Sequence, residues 1–239
     1  MNAADRLIVA LDGHTGNMGR IVAAMYRDVG VAFFKVGVST LLQPGGYDLC
    51  RTINKLGLTS LFLDIKLYDV RDTVQPVIRQ AFEDLGARFV TVHATPSVME
   101  AAMRAKPADP RCKVLAIGPT SDIQVSYNGD LIPEVEATIR GLDECDGAVM
   151  SGRLLQAYKR EYGLRKGKIV VAPGIRLPAK TSEGWDDMVA PRDDHNYPLR
   201  PSEALAAGAD YLVVGRPIYA SADPVAAARA IIAEMEAAA

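Results

Sequence analysis

The sequence predicts a single (β/α)8 barrel, and three observations carry that prediction. Eight short runs rich in Val, Ile, Leu or Phe recur along the chain, as expected of parallel strands covered on both faces. The stretches between them carry apolar residues at the three- and four-residue spacings of amphipathic helices. Eight such units fill 239 residues with no linker, the usual size of this barrel. A doubly wound open sheet is the competing arrangement.

In chain order, strands are expected at Leu7 to Leu11, Ala32 to Val36, Ser60 to Ile65, Arg88 to His93, Lys113 to Ile117, Gly147 to Met150, Lys168 to Ala172 and Tyr211 to Val214. Between the first two, Met18, Ile21, Val22 and Met25 form one helical stripe, which core packing explains without a ligand. Val74, Val77, Ile78, Phe82 and Leu85 form another after the third strand. Gly86 and Gly208 stand where a left-handed residue would end a helix and release the chain into the next strand. The last helix is Ala-rich. The exception to this regularity is the polar run from Arg176 to Arg200, with Lys180 to Trp185 near its centre. An irregular segment of that length in a compact domain is usually functional or disordered, and here it reads as a lid, with Trp185 belonging to it.

Composition narrows the function. Hydrophobic residues make up 49% and charged residues 23%, which excludes a disordered, collagen-like or coiled-coil chain. Lys and Arg total 27 against 29 Asp and Glu, a formal charge of −2, so no global basic field would recruit nucleic acid or anionic lipid. Any anion must be held by a local pocket. Cys50, Cys112 and Cys145 are odd in number, widely spaced and outside any CxxC pattern, which argues against a disulfide framework and a zinc site and suits a reducing cytoplasm. No apolar stretch approaches the ~20 residues of a membrane span, and the N-terminus runs straight into the first strand, so the chain reads as soluble and unprocessed.

In such a barrel the carboxyl ends of the strands face the active site. Polar residues stand at those ends: Asp12, Lys35, Asp64 with Lys66, His93, Thr120 with Ser121, Pro173-Gly174-Ile175-Arg176, and Gly215-Arg216. The spacing Asp64-x-Lys66-x-x-Asp69 puts Asp64 and Lys66 on one face of an extended strand end, with a third carboxylate just beyond. A lysine between acids stays protonated and suits a proton donor. A surface ion-pair cluster is the bland alternative, against which its position at the end of an apolar run counts. Gly174 and Gly215-Arg216, on consecutive strands, suit a phosphate site built from backbone N–H groups and a guanidinium. His14, His93 and His195 lack ligand spacing; His93 reads as a hydrogen-bonded strand-end residue and His14 as solvated.

The segment Phe62-Leu-Asp-Ile-Lys-Leu-Tyr-Asp-Val-Arg-Asp-Thr73 resembles the Asp-x-Lys-x-x-Asp signature of the orotidine 5′-phosphate decarboxylase family. Ala10-Leu-Asp12, Phe34-Lys-Val-Gly37, Val92-His-Ala94, Pro173-Gly-Ile-Arg176 and the run from Gly208 to Ile218 agree with it in order, so the resemblance spans nearly the whole chain. It implies decarboxylation of orotidine 5′-phosphate to uridine 5′-phosphate without metal or organic cofactor, by a homodimer with shared active sites. By position, Asp12 would bind a ribose hydroxyl and Lys35 would join the charged network there. Asp64 would sit beside the substrate carboxylate, and Lys66 would protonate C6. Asp69 and Thr73 would reach the neighbouring subunit's site. Arg216, with the backbone at Gly215 and Gly174, would hold the phosphate, in a substrate site that also takes in Pro173 and Arg176. Thr120 or Ser121 would read the pyrimidine edge.

The chain departs from the family pattern in places. Arg71 stands where Pro is usual, and Gly118-Pro119 is atypical ahead of Thr120 and Ser121. The Gln that normally bridges phosphate and base has no clear equivalent, and His195 is the nearest candidate. Two other functions fit a barrel of this pattern: a magnesium-dependent sugar-phosphate decarboxylase or aldolase, and a catalytically silent nucleotide-binding barrel. Relatives of the first kind continue from the last Asp into Ala-Gly, whereas Val70-Arg71-Asp72-Thr73 follows here. Retention of all three charged residues counts against the second.

Overall fold

The computed structural model describes residues 1–13, 15–57, 60–118, 142–163, 167–177, 179–181, 184–186 and 199–238. Every predicted run forms a strand, with small shifts at the ends: β1 (Leu7–Ala10), β2 (Phe33–Gly37), β3 (Leu61–Leu67), β4 (Ala87–His93), β5 (Lys113–Ile117), β6 (Gly147–Val149), β7 (Ile169–Ala172) and, last in the chain, β10 (Tyr211–Val214). These eight close into one barrel in sequence order, with β10 pairing β1. Every barrel pairing is parallel, and because β10 closes the ring onto β1 the open-sheet alternative is set aside.

The strands read as continuous apolar runs because each is buried twice over. Alternate residues of β1 point to opposite sides: Leu7 and Val9 join the layer between strands and helices, while Ile8 and Ala10 join the barrel interior. The outer layer is closed by the two predicted stripes. Met18, Val22 and Met25 are buried with Ile21 packed against them; of the second stripe Val74, Ile78, Phe82 and Leu85 are buried, while Val77 is only half-buried and stands outside the core. The first of these helices (Thr15–Ala24) widens into a π-turn at Met25–Val29 before Gly30 ends it. Gly86 and Gly208 have φ of 62° and 102°, as their positions before β4 and β10 predict.

The interior is plugged by rings. Phe89 meets Phe33, Tyr211 and Phe62 edge-on at centroid distances of 4.8, 5.2 and 5.9 Å, the arrangement in which positive ring edges face negative ring faces. The Arg88 guanidinium lies 5.5 Å from the Phe33 centroid and caps this stack. All three cysteines are buried free thiols, and burial pushes Cys50 up to about 11 and Cys145 up to about 12, so neither is a nucleophile at neutral pH.

The polar run from Arg176 to Arg200 is tied at its base. Ile175 and Leu199 form a parallel bridge, and the Arg176 N–H donates to the Leu199 carbonyl at 3.0 Å. Part of the run is regular, because β8 (Ala179–Thr181) pairs antiparallel with β9 (Gly184–Asp186). The expected lid is thus a partly structured excursion at its start. The rest of it, His195 included, lies outside the described residues, as do the Trp185 side chain and His14.

A methyl group separates two kinds of glycine in this fold. A Cβ on Gly147 would overlap the Ile169 carbonyl across the β6–β7 pair, whereas one on Gly19, in the first helix, would meet nothing within 4 Å. Gly147→Ala should therefore destabilise the protein by about 2 kcal/mol or more, and Gly19→Ala should stabilise it by about 0.5–1 kcal/mol. Urea unfolding followed by circular dichroism measures both.

Candidate active site

The site begins with a fault in the barrel's register. Leu63 pairs with Val90 and Leu67 with Val92, so Asp64, Ile65 and Lys66 of β3 all stand opposite the single residue Thr91 of β4. The excess is taken up as a bulge, and Lys66 adopts φ of 47°, the one positive value outside glycine among the described residues. A left-handed residue with a Cβ costs about 1–2 kcal/mol. The simple extended strand end inferred from the sequence is therefore replaced at Lys66 by a strained bulge, which still brings Lys66 to Asp64.

Four charges meet there. Lys66 Nζ donates to Asp64 Oδ2 at 2.7 Å, and Lys35 Nζ lies 3.3 Å from that same oxygen and 3.0 Å from Asp12 Oδ1. The chain of contact runs Asp12, Lys35, Asp64, Lys66, from the ends of three neighbouring strands. Thr91 Oγ1 donates to the other Asp64 oxygen at 3.0 Å, which completes its hydrogen bonding. The Lys35 and Asp64 side chains are only 11% and 12% exposed, while Lys66 is 43% exposed, so Lys66 is the member of this row that presents its ammonium to the cavity.

That cavity, of about 480 Å3, opens at the carboxyl end of the barrel. Its floor is the top of the ring-filled interior, Ala10, Phe62 and Val213. Asp12, Lys35, Asp64 and Lys66 line it together with Pro173, Gly174, Arg176, Gly215 and Arg216. A Cβ on Gly215 would stand 3.4 Å from Ala10 Cβ and from a Tyr219 ring carbon, so the chain passes here with only bare backbone.

Other predicted residues sit apart from the cavity lining. Asp69 is exposed at the rim, its carboxylate accepting from the Val70 N–H at 2.7 Å, and Thr73 is half-buried at the start of the following helix. His93 is exposed, with Nδ1 2.9 Å from Thr95 Oγ1 and its ring 4.9 Å from that of Tyr68, which matches the reading of a hydrogen-bonded strand-end residue. Thr120 and Ser121 lie outside the described residues. Among the described residues no group of three or more His, Cys, Asp and Glu side chains could hold a metal ion.

Four site residues escaped the sequence pattern. Thr91 backs the charged row, Ser151 and Leu154 line the wall beyond β6, and Tyr219 stands above Gly215. Burial, then the Asp12 charge, raises the Tyr219 phenol above its ordinary value, so it stays protonated and able to donate. A polar residue inside the Arg88 to His93 run, and an aromatic one turn beyond Arg216, were the available signals.

Residues 5–231 match the model of the orotidine 5′-phosphate decarboxylase / HUMPS family. The chain belongs to that family. It is 36% identical over 240 residues to orotidine 5′-phosphate decarboxylase of Methylorubrum extorquens, covering 97% of this chain and 96% of the relative. A second relative of that name, from Rhodopseudomonas palustris, is 36% identical over 243 residues, with 98% and 96% covered. Among solved structures, orotidine 5′-phosphate decarboxylase from Lactobacillus acidophilus superposes with a TM-score of 0.71 at 26% identity, over 97% of this chain and 99% of that one.

In this member of the family, burial and pairing act on the charged row in opposite directions. Burial alone would push the Asp64 carboxyl up, but Lys35 and Lys66, with the bonds from Lys66 and Thr91, outweigh it and hold Asp64 below the usual carboxylate range. Likewise burial would lower Lys35, and Asp64 and Asp12 outweigh it and raise it. Because folding favours ionised Asp64, its contribution to stability is complete above the ordinary carboxylate value of about 3.9 and is lost as pH falls through its lower folded value. Acid unfolding below about pH 4 should therefore be less steep in Asp64→Asn than in the unaltered protein. Stability from urea titrations across pH 2–7 checks this.

Proposed function

We propose that this protein is a carboxy-lyase that converts orotidine 5′-phosphate to uridine 5′-phosphate in pyrimidine biosynthesis. The observation that carries the reading is that the row Asp12, Lys35, Asp64, Lys66 lines one cavity with Arg176 and Arg216, in a chain whose full-length relatives bear that name. Such a cavity offers a cation beside the reacting carbon and a guanidinium end for the phosphate.

The C6–carboxylate bond breaks heterolytically, carbon dioxide leaves, and the electron pair stays on C6 in an orbital that the ring π system cannot spread. Lys66, the exposed ammonium of the row, stabilises that charge and then gives C6 its proton, becoming a neutral amine that takes a proton back from water. Overall one substrate and one proton yield one product and one carbon dioxide. Asp64 and Lys35 fix the ammonium before the charge develops, so no reorganisation is needed at that moment. Arg216, with the backbone at Gly215 and Gly174, takes the phosphate; Asp12 takes a ribose hydroxyl. By the family resemblance, His195 would meet the phosphate and Thr120 or Ser121 the base; all three lie outside the described residues.

Asp69 and Thr73 serve the partner's site in a homodimer. Support comes from the rim around Asp69, where Tyr68 and Val70 are large apolar side chains exposed at 67% and 68%. Buried free thiols fit a protein that works in a reducing cytoplasm.

Absorbance of orotidine 5′-phosphate followed with a chelator present tests the reading; absence of turnover by the unaltered chain would end it. Lys66→Ala should lower kcat by about 10^3-fold or more while the barrel stays folded, because the lost group acts on charge present only in the transition state. Arg216→Ala should lower kcat/KM by about 10^2-fold. Mixing Lys66→Ala with Asp69→Ala protein should restore about a quarter of normal activity, since half of randomly exchanged dimers keep one intact site. No recovery despite proven exchange would remove the shared site.

A further inference from the structure

Thr91 is one of only three buried polar residues among those described, with Thr40 and Ser60, and it alone touches the charged row. Its hydroxyl is used on both sides. The proton goes to Asp64 Oδ1 at 3.0 Å, and the oxygen accepts the Lys66 backbone N–H at 2.9 Å. This second bond fills a gap in the ladder: three residues of β3 face one of β4, so the Lys66 amide is satisfied by the Thr91 side chain in the bulge. One oxygen therefore fixes both the carboxylate that holds the Lys66 ammonium and the left-handed backbone from which Lys66 projects.

We infer that Thr91 is a positioning residue for Lys66, a buried hydroxyl clamp that sets the Asp64–Lys66 pair and holds the strained Lys66 backbone in its reactive placement. It touches no part of the cavity surface and acts only through those two residues. The inference rests on the proposed decarboxylation for its kinetic consequence and on the geometry alone for its structural one.

Thr91→Val keeps the shape and removes both hydrogen bonds; Thr91→Ser keeps the hydroxyl. With orotidine 5′-phosphate as substrate, Thr91→Val should lower kcat by about 10- to 100-fold, with KM changed less than about threefold, and Thr91→Ser should restore kcat to within about fivefold of normal. A residue that merely filled space would give the reverse, tolerance of Val. A crystal structure of Thr91→Val should show the Asp64–Lys66 contact lengthened from 2.7 Å or the Lys66 φ moved from 47°. An unchanged pair and φ would overturn the inference whatever the unaltered protein catalyses, whereas lack of turnover by the unaltered protein alone would sink only the proposed reaction. Should Thr91→Val not fold, Thr91→Ala is read by the same two measures. If both unfold while Thr91→Ser folds, the hydroxyl serves stability and the inference falls.

Discussion

The Asp64 carboxylate is a buried anion shared between two ammonium groups, and much of the site's architecture follows from keeping it charged. Taking a carboxylate out of water costs several kcal/mol unless its oxygens are fully paired. Here Oδ2 receives Lys66 and Lys35, and Oδ1 receives Thr91, so three strands must present their ends in one register. Barrel closure supplies that register. β2 pairs with β3 from Phe34–Leu61 to Gly37–Asp64, which sets the Lys35 and Asp64 strand ends side by side, and β1 sets Asp12 beside Lys35 through the Ala10–Lys35 pair.

Beneath the row, the ring-filled interior gives the site a rigid floor. Edge-on contacts among Phe33, Phe62, Phe89 and Tyr211 fill the barrel's amino half, and Phe62 belongs to both that plug and the cavity wall. Because packed interiors respond to small volume changes, a plug of this kind transmits little slack to Asp64, two residues further along the same strand. The strain at Lys66 is confined to the strand's last turn, where hydrogen bonds to Thr91 and Asp64 oppose its relaxation.

How far the sequence disclosed this arrangement depended on what each residue is ordinarily used for. Strands such as Lys113 to Ile117 and Tyr211 to Val214 were legible because burial on both faces leaves no polar alternation to blur them. Asp64 and Lys66 were legible because charge at the end of an apolar run is costly and therefore informative. Thr91 was hidden, since threonine is a common strand residue and nothing in its neighbours announces a bulge. The left-handed backbone was hidden too, because glycine is the usual signal and Lys66 is not glycine. Ser151 was not singled out, since a serine just before a helix (Gly152–Tyr162) is an ordinary residue there, yet it lines the cavity. Tyr219 was not singled out either, because the short helix Arg216–Tyr219 that carries it follows the last strand with no pattern of its own. Tertiary closure decided these cases, bringing together chain ends that local pattern cannot relate.

The charge distribution bears on how such a cavity would handle a substrate that carries both a carboxylate and a phosphate. Asp12, Lys35, Asp64 and Lys66 sum to zero, so the row as a whole offers no net attraction to a carboxylate, and Asp64 itself repels one placed beside it. Two guanidinium groups, those of Arg176 and Arg216, line the same cavity. In the proposed reaction, a phosphate held by those guanidinium groups would offset the repulsion at the row, and that repulsion would disappear as the carboxylate became neutral carbon dioxide, leaving the Lys66 ammonium beside the new carbanion. An arrangement of this kind places its strongest interaction with charge that exists only after the bond begins to break, which is the condition for lowering a barrier and not merely for holding a substrate.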